Sequence, residues 1–236
     1  MVKTDLIERN PLRQLAGDRE DILADGTLGA VLSRAGIGKT ALVIQMALFN
    51  MLRHKNVLHV SLNDSIGKVT LWYGELFQDI AEDYKVNNIK DLWNDIEPYR
   101  LILSMKVSGF SVPLLEERIT DLTAQNIFNP SMVIIDGFPF DEAARGHLQE
   151  LGTLAARNGF SIWFTVHTHR DEQPAADNLP ARFSPVADLF AVALELKPEG
   201  NNVRIETLAG NRTVETPLLL NPTTMLVTRS TESKAV

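Results

Sequence analysis

The stretch Ser33-Arg34-Ala35-Gly36-Ile37-Gly38-Lys39-Thr40 has the residue types and spacing to hold a polyphosphate. Gly38-Lys39-Thr40 completes the pattern G-x-x-x-x-G-K-[ST], with Ser33 standing where the pattern opens on glycine. In such a loop, backbone N–H groups and the positive end of the following helix surround phosphate oxygens. Lys39 would reach the terminal phosphates, and the Thr40 hydroxyl would ligate Mg²⁺. Ser33 is small enough for the opening turn, although its Cβ narrows the backbone choices that glycine leaves open. The plainer alternative is a Gly-Lys-Thr that caps a helix after a turn. A second chemical group lies at Met132-Val133-Ile134-Ile135-Asp136, an apolar run ending in a carboxylate. An acid at a strand's C-terminal edge can hold Mg²⁺ beside a phosphate loop, the Walker B arrangement. Many strands end in Asp for turn or cap reasons, but the loop upstream favours the metal role for Asp136. Asp141 and Glu142 are expected to cap the next helix.

These groups need strands and helices to carry them. Leu28–Leu32 reads as a buried strand, and Ala41–Arg53 as a helix without breakers. Asn56–Leu62 is a second strand, and Gly67–Tyr84 an amphipathic helix with Val69, Trp72, Leu76, Ile80 and Ala81 near one face. Trp72, Tyr73 and Phe77 could be imagined as a stacking platform, but their helical spacing is that of core or interface residues. Asn87–Glu97 is a short helix or a surface loop, Leu101–Met105 a strand, and Val112–Ile127 a helix. Met132–Ile135 is the next strand, followed by a helix over about 141–157 and the strand Phe160–Val166. The stretch Asp171–Pro185 is rich in Pro, Asp and Asn, as mobile surface loops are. Leu189–Leu196, Val203–Leu208 and Val214–Leu220 alternate as strands joined by hairpins do. The alternation of strands and helices predicts an α/β fold, with a mostly parallel central sheet, helices on both faces and a β-rich C-terminal part. One domain over residues 1–236 is expected, with 1–10 and 229–236 as flexible tails.

Composition sets the outer limits. The chain has 236 residues, enough for one sizeable core, with 44% hydrophobic and 22% charged residues. No apolar run is long enough for a membrane span, and the first ten residues lack the apolar core of a signal peptide. Without cysteine there are no disulfides or thiolate metal sites, so a cytoplasmic location is the simplest expectation. The net charge of −7 and the absence of a Lys/Arg run argue against a nucleic-acid surface, although a local patch could still form one. His167 and His169 would share one face of an extended strand end. They have no evident third ligand, so zinc is not expected.

The order of these segments resembles the RecA-like P-loop ATPases, especially the KaiC and DnaB-helicase branch, over about Pro11 to Val227. The resemblance implies an ATP- and Mg²⁺-binding ATPase that forms a homo-oligomer, with a mechanical or regulatory output. In that family a glutamate after the second strand polarises water. Here the place reads Ser61-Leu62-Asn63-Asp64, so either Asp64 acts from a shifted position, or hydrolysis is slow or absent. Asn-Asp-Ser is also good turn chemistry. The resemblance places a γ-phosphate sensor near His167. It also places a hairpin arginine, which reaches a neighbouring subunit's site, at Arg212 within Gly210-Asn211-Arg212; the family's lysine is missing there. A nucleotide-dependent switch with little hydrolysis, a DnaB-like DNA-dependent ATPase and a small-molecule kinase are the competing readings.

Overall fold

The computed structural model describes residues 3–168, 175, 177, 179–209 and 217–230. Most of the apolar runs become largely buried strands, because helices cover both faces of a parallel sheet, while Arg100–Ser104 at the sheet's edge is only half-buried. They are β1 (Leu28–Ser33), β2 (Val57–Ser61), β3 (Arg100–Ser104), β4 (Met132–Asp136), β5 (Ser161–His167) and β6 (Phe190–Glu199). These six pair in parallel. β7 (Asn202–Ala209), β8 (Leu218–Leu220) and β9 (Val227–Arg229) extend the sheet antiparallel. The order is β3-β2-β4-β5-β1-β6-β7-β8-β9. The chain is therefore α/β with one mostly parallel nine-stranded sheet.

The described helices are α1 (Lys3–Glu8), α2 (Arg13–Ala16), α3 (Lys39–Met51), α4 (Ile66–Asp83), α5 (Ile89–Ile96), α6 (Val112–Ala124) and α7 (Ala144–Asn158). On one face of the sheet, Leu42 and Met46 of α3 and Tyr73 and Phe77 of α4 pack with Val31, Val57, Ile134 and Trp163. On the other, Leu115 of α6 and Leu148 and Leu151 of α7 pack with Ala30, Leu58, Val133 and Ile135. Ser111 caps α6 by accepting from the Leu114 amide at 3.3 Å, with Pro113 in the first turn, where a missing N–H costs nothing.

Two expectations change, and one open alternative is decided. The first ten residues are not a tail throughout: Lys3–Glu8 is helical, and Leu6 is buried in the core with 1% exposure. Asn87–Glu97 resolves into the helix α5. A ninth strand, β9, follows the three strands expected in the C-terminal part. Among the described residues, no helix is long and apolar enough to cross a membrane.

Because β1 to β5 are parallel, their C-terminal ends meet along one edge of the sheet. Register places Ser33 opposite His167, and Ser61 opposite both Ser104 and Asp136. Open parallel sheets of this kind bind ligands just beyond that edge.

Candidate functional site

The turn from β1 into α3 uses two glycines with left-handed backbone, Gly36 at φ 75° and Gly38 at φ 117°. At Gly38 a side chain is also excluded by space, because a Cβ would collide with Leu220 Cδ2 and lie 3.3 Å from Met225 Sδ. The Gly38 carbonyl accepts the first bond of α3 from the Leu42 amide at 2.9 Å. The amides of that first turn are aimed out of the helix end, as an anion would require. Ser33 fits where the pattern has glycine. It is buried, its hydroxyl donates to the Arg34 carbonyl at 2.9 Å, and its own carbonyl accepts from the Thr168 amide at 3.0 Å.

Lys39 folds back over this loop. Its ammonium donates to the carbonyls of Ser33 at 2.8 Å and Arg34 at 3.0 Å. Burial lowers its pKa to about 8, partly opposed by the charge of Asp136. Two neutral carbonyls hold it there, and a phosphate oxygen would be the stronger acceptor.

Asp136 stands at the end of β4 within reach of two hydroxyls. Thr40 Oγ1 donates to Asp136 Oδ2 at 3.0 Å, and Thr165 Oγ1 donates to Oδ1 at 2.5 Å. The two sequence motifs thus meet although they are 96 positions apart. Thr165 was hidden in the apolar run of β5. Its signal was parity: with Ile134 paired to Trp163, two residues further along each strand Asp136 and Thr165 share one face.

Asp64 adopts the turn. Its amide donates to Ser61 Oγ at 3.0 Å, and Ser65 caps α4 by accepting from the Lys68 amide at 3.3 Å. The Asp64 carboxylate accepts from Lys68 Nζ at 2.6 Å. It is the Asn63 amide that lies against Gly137, so closely that a Cβ there would overlap Asn63 Nδ2. Asp141 does not cap α7 as expected: its carboxylate accepts from the Ala143 amide at 3.0 Å within the turn that precedes the helix, and Ala143, at the N-cap, offers no side-chain bond. His167 is exposed at the end of β5, in register with Ser33. His169, Arg170 and Arg212 with its neighbours Gly210 and Asn211 lie outside the described residues.

A cavity of about 430 Å³ opens beside the loop, walled by Lys39 and Thr40, by Trp72 and Leu76 of α4, and by Thr224 and Met225. Tyr73 and Phe77 are core residues as their spacing implied, whereas Trp72 is half-buried at this wall, with Lys68 Nζ 5.4 Å from its ring centre. A larger groove of about 900 Å³, between Arg9, Tyr84 and Arg229, contains none of the motif residues. Gln45, buried on α3, ties the cavity wall in place. Its Nε2 donates to the Met225 carbonyl at 2.7 Å, and its Oε1 accepts from the Val227 amide at 2.9 Å.

Under the edge, two further polar residues escaped the sequence pattern. His59 is fully buried on β2, with Nδ1 3.1 Å from Tyr73 Oη, and burial pushes its pKa down to about 4. Arg100 stacks over the Tyr73 ring at 4.9 Å from its centre and donates to Glu97 at 3.1 Å.

Among the described residues, no cluster of three or more His, Cys, Asp or Glu side chains is placed to hold a metal. The hydroxyl of Thr40 and the carboxylate of Asp136 are hard oxygen donors. Such a pair suits Mg²⁺, which keeps several waters and takes its other ligands from phosphates rather than from an all-protein cage. No protein-family model matches the chain, and no curated protein matches it significantly.

Proposed function

We propose that the chain is a RecA-like P-loop domain that binds Mg-ATP and acts as an ATPase. The observation that carries this reading is the 3.0 Å contact between Thr40 of the phosphate loop and Asp136 at the end of β4. The two groups that would share a Mg²⁺ ion are adjacent at the C-terminal edge of a parallel sheet. In this reading the loop from Ser33 to Gly38 wraps the phosphates with backbone amides. Lys39 leaves the Ser33 and Arg34 carbonyls for the terminal phosphates, while Thr40 and Asp136 hold Mg²⁺, directly or through water. Held by Thr40 and Asp136, Mg²⁺ would supply charge neutralisation at the transferring phosphoryl group. His167, beside the start of the loop, senses the γ-phosphate, and Arg212 serves the neighbouring subunit of a homo-oligomer in the cytoplasm. The choice of ATP over other nucleotides rests on the resemblance of the motifs.

A second reading, a nucleotide-dependent switch with little turnover, is favoured by one specific observation. The carboxylate of Asp64, one position past the place where the resemblance puts the water-activating acid, is engaged by Lys68 at 2.6 Å. Asn63, whose side-chain amide lies against Gly137, has no basic group.

Mg-ATP binding and phosphate release, measured at several protein concentrations beside Lys39→Ala, test both readings. Turnover that rises steeply with concentration and vanishes in the variant supports the oligomeric ATPase. Tight binding without release supports the switch, and absence of binding by the wild type removes both.

A further inference from the structure

We infer that Thr165 is a positioning residue, a hydroxyl on β5 that keeps the Asp136 carboxylate aimed at the metal while nucleotide is bound. The inference rests on the reading of Asp136 as a Mg²⁺-holding group. A threonine hydroxyl has one proton to give and lone pairs to accept with. At Thr165 the backbone decides how they are used. The Gly137 amide donates to Thr165 Oγ1 at 3.1 Å, so the hydroxyl proton goes to Asp136 Oδ1, 2.5 Å away. Gly137 can present its amide in this way because it turns with φ 88°, a left-handed conformation in which other residues are strained. Thr165 is itself only 4% exposed, which shields the bond from competing water.

The two hydroxyls on Asp136 are not equivalent. Thr40 donates to Oδ2 from the first turn of α3, and it is also the group that would turn a lone pair toward Mg²⁺. When it does so, its geometry toward Asp136 must change. Thr165 sits on the middle strand between β4 and β1, has no role toward phosphate, and is locked by the Gly137 amide. It is therefore the partner that holds the carboxylate plane in the loaded state. Groups that orient a metal-holding carboxylate in this way typically change metal affinity by about 10–100-fold when removed.

The test compares Thr165→Val, which keeps the shape and deletes the hydroxyl, with Thr165→Ser, which keeps the hydroxyl. A fluorescent ATP analogue is bound at fixed concentration and Mg²⁺ is titrated in. Analogue affinity is also measured in excess chelator. The valine variant is expected to need about 10–100-fold more Mg²⁺ for half-maximal effect, with unchanged affinity in chelator. The serine variant should stay within about threefold of wild type, since the same bonds are available to it. A valine variant that titrates with the wild type overturns the inference and leaves the functional reading standing. So does one that loses affinity equally with and without Mg²⁺, or a serine variant as impaired as the valine one. A wild type that binds no nucleotide under any condition overturns the functional reading, and this inference with it.

Discussion

Asp64 Oδ1 and Lys68 Nζ lie 2.6 Å apart, four positions apart on the same turn into α4. The lysine side chain is 52% exposed, so the pair is solvated and worth less than about 1 kcal/mol. Releasing Asp64 is therefore inexpensive, and Lys68→Met is expected to raise phosphate release by no more than about fivefold. Asn63→Glu is expected to do more, because it puts a carboxylate against Gly137, next in the chain to Asp136, the acid proposed to hold the metal. Phosphate release in these two variants and in Asp64→Asn separates the possibilities. An unchanged rate in Asp64→Asn removes Asp64 as the base, and an unchanged rate in Asn63→Glu shows that position 63 does not reach the water.

In the proposed reading, Lys39 would link nucleotide binding to pH. With its pKa lowered by burial to about 8, the free protein begins to lose this charge just above neutrality. Phosphates would draw the proton back. Below about pH 8 the lysine is charged in both states and binding is pH-independent in this respect. Above it, binding takes up a proton and weakens by up to about tenfold per pH unit. Calorimetry at pH 7 and pH 9, in buffers of different ionisation enthalpy, reads the uptake directly. Equal proton uptake at the two pH values would contradict this role for Lys39.

His59 links stability to acid. Its pKa is about 4 in the fold against an ordinary 6.5, chiefly through burial; Asp136 and Asp64 act to raise it and Arg100 to lower it. Above pH 6.5 the imidazole is neutral in both folded and unfolded chains, and its full contribution is present. Between about 6.5 and 4 only the unfolded chain takes up the proton, so stability falls as pH falls, by about 1.4 kcal/mol per unit at most. His59→Asn keeps a polar partner for Tyr73 and does not titrate. Urea unfolding at pH 7.5 and 5.5 should show the variant losing about 1 kcal/mol less than wild type between the two. Equal losses would mean that His59 is charged or solvated in the folded protein.

The strands were legible because a strand buried on both faces needs an unbroken apolar run, and Val31, Val60, Ile134 and Phe164 sit in such runs. The loop from Ser33 to Thr40 was legible as a pattern because it is local to eight consecutive residues. What sequence could not disclose was pairing between distant segments. Thr165 becomes visible only when β4 and β5 are set in register. Trp72 separates from Tyr73 only when the cavity between α4 and the loop before β9 exists. α1 escaped because six residues with one buried leucine carry no periodicity. His59 looked like one more residue of an apolar strand, since nothing local says that Tyr73 will meet it from the next helix.

Gln45 and Met225 are 180 positions apart, and Leu220 is the residue that fills the space a side chain at Gly38 would need. The turn from β1 into α3 is thus shaped partly by a hairpin synthesised long after it. A ribosome that has released only the first two hundred residues holds a chain with every signature of the loop and no finished wall behind it. Competence to hold a ligand there would then wait until β8 and β9 dock.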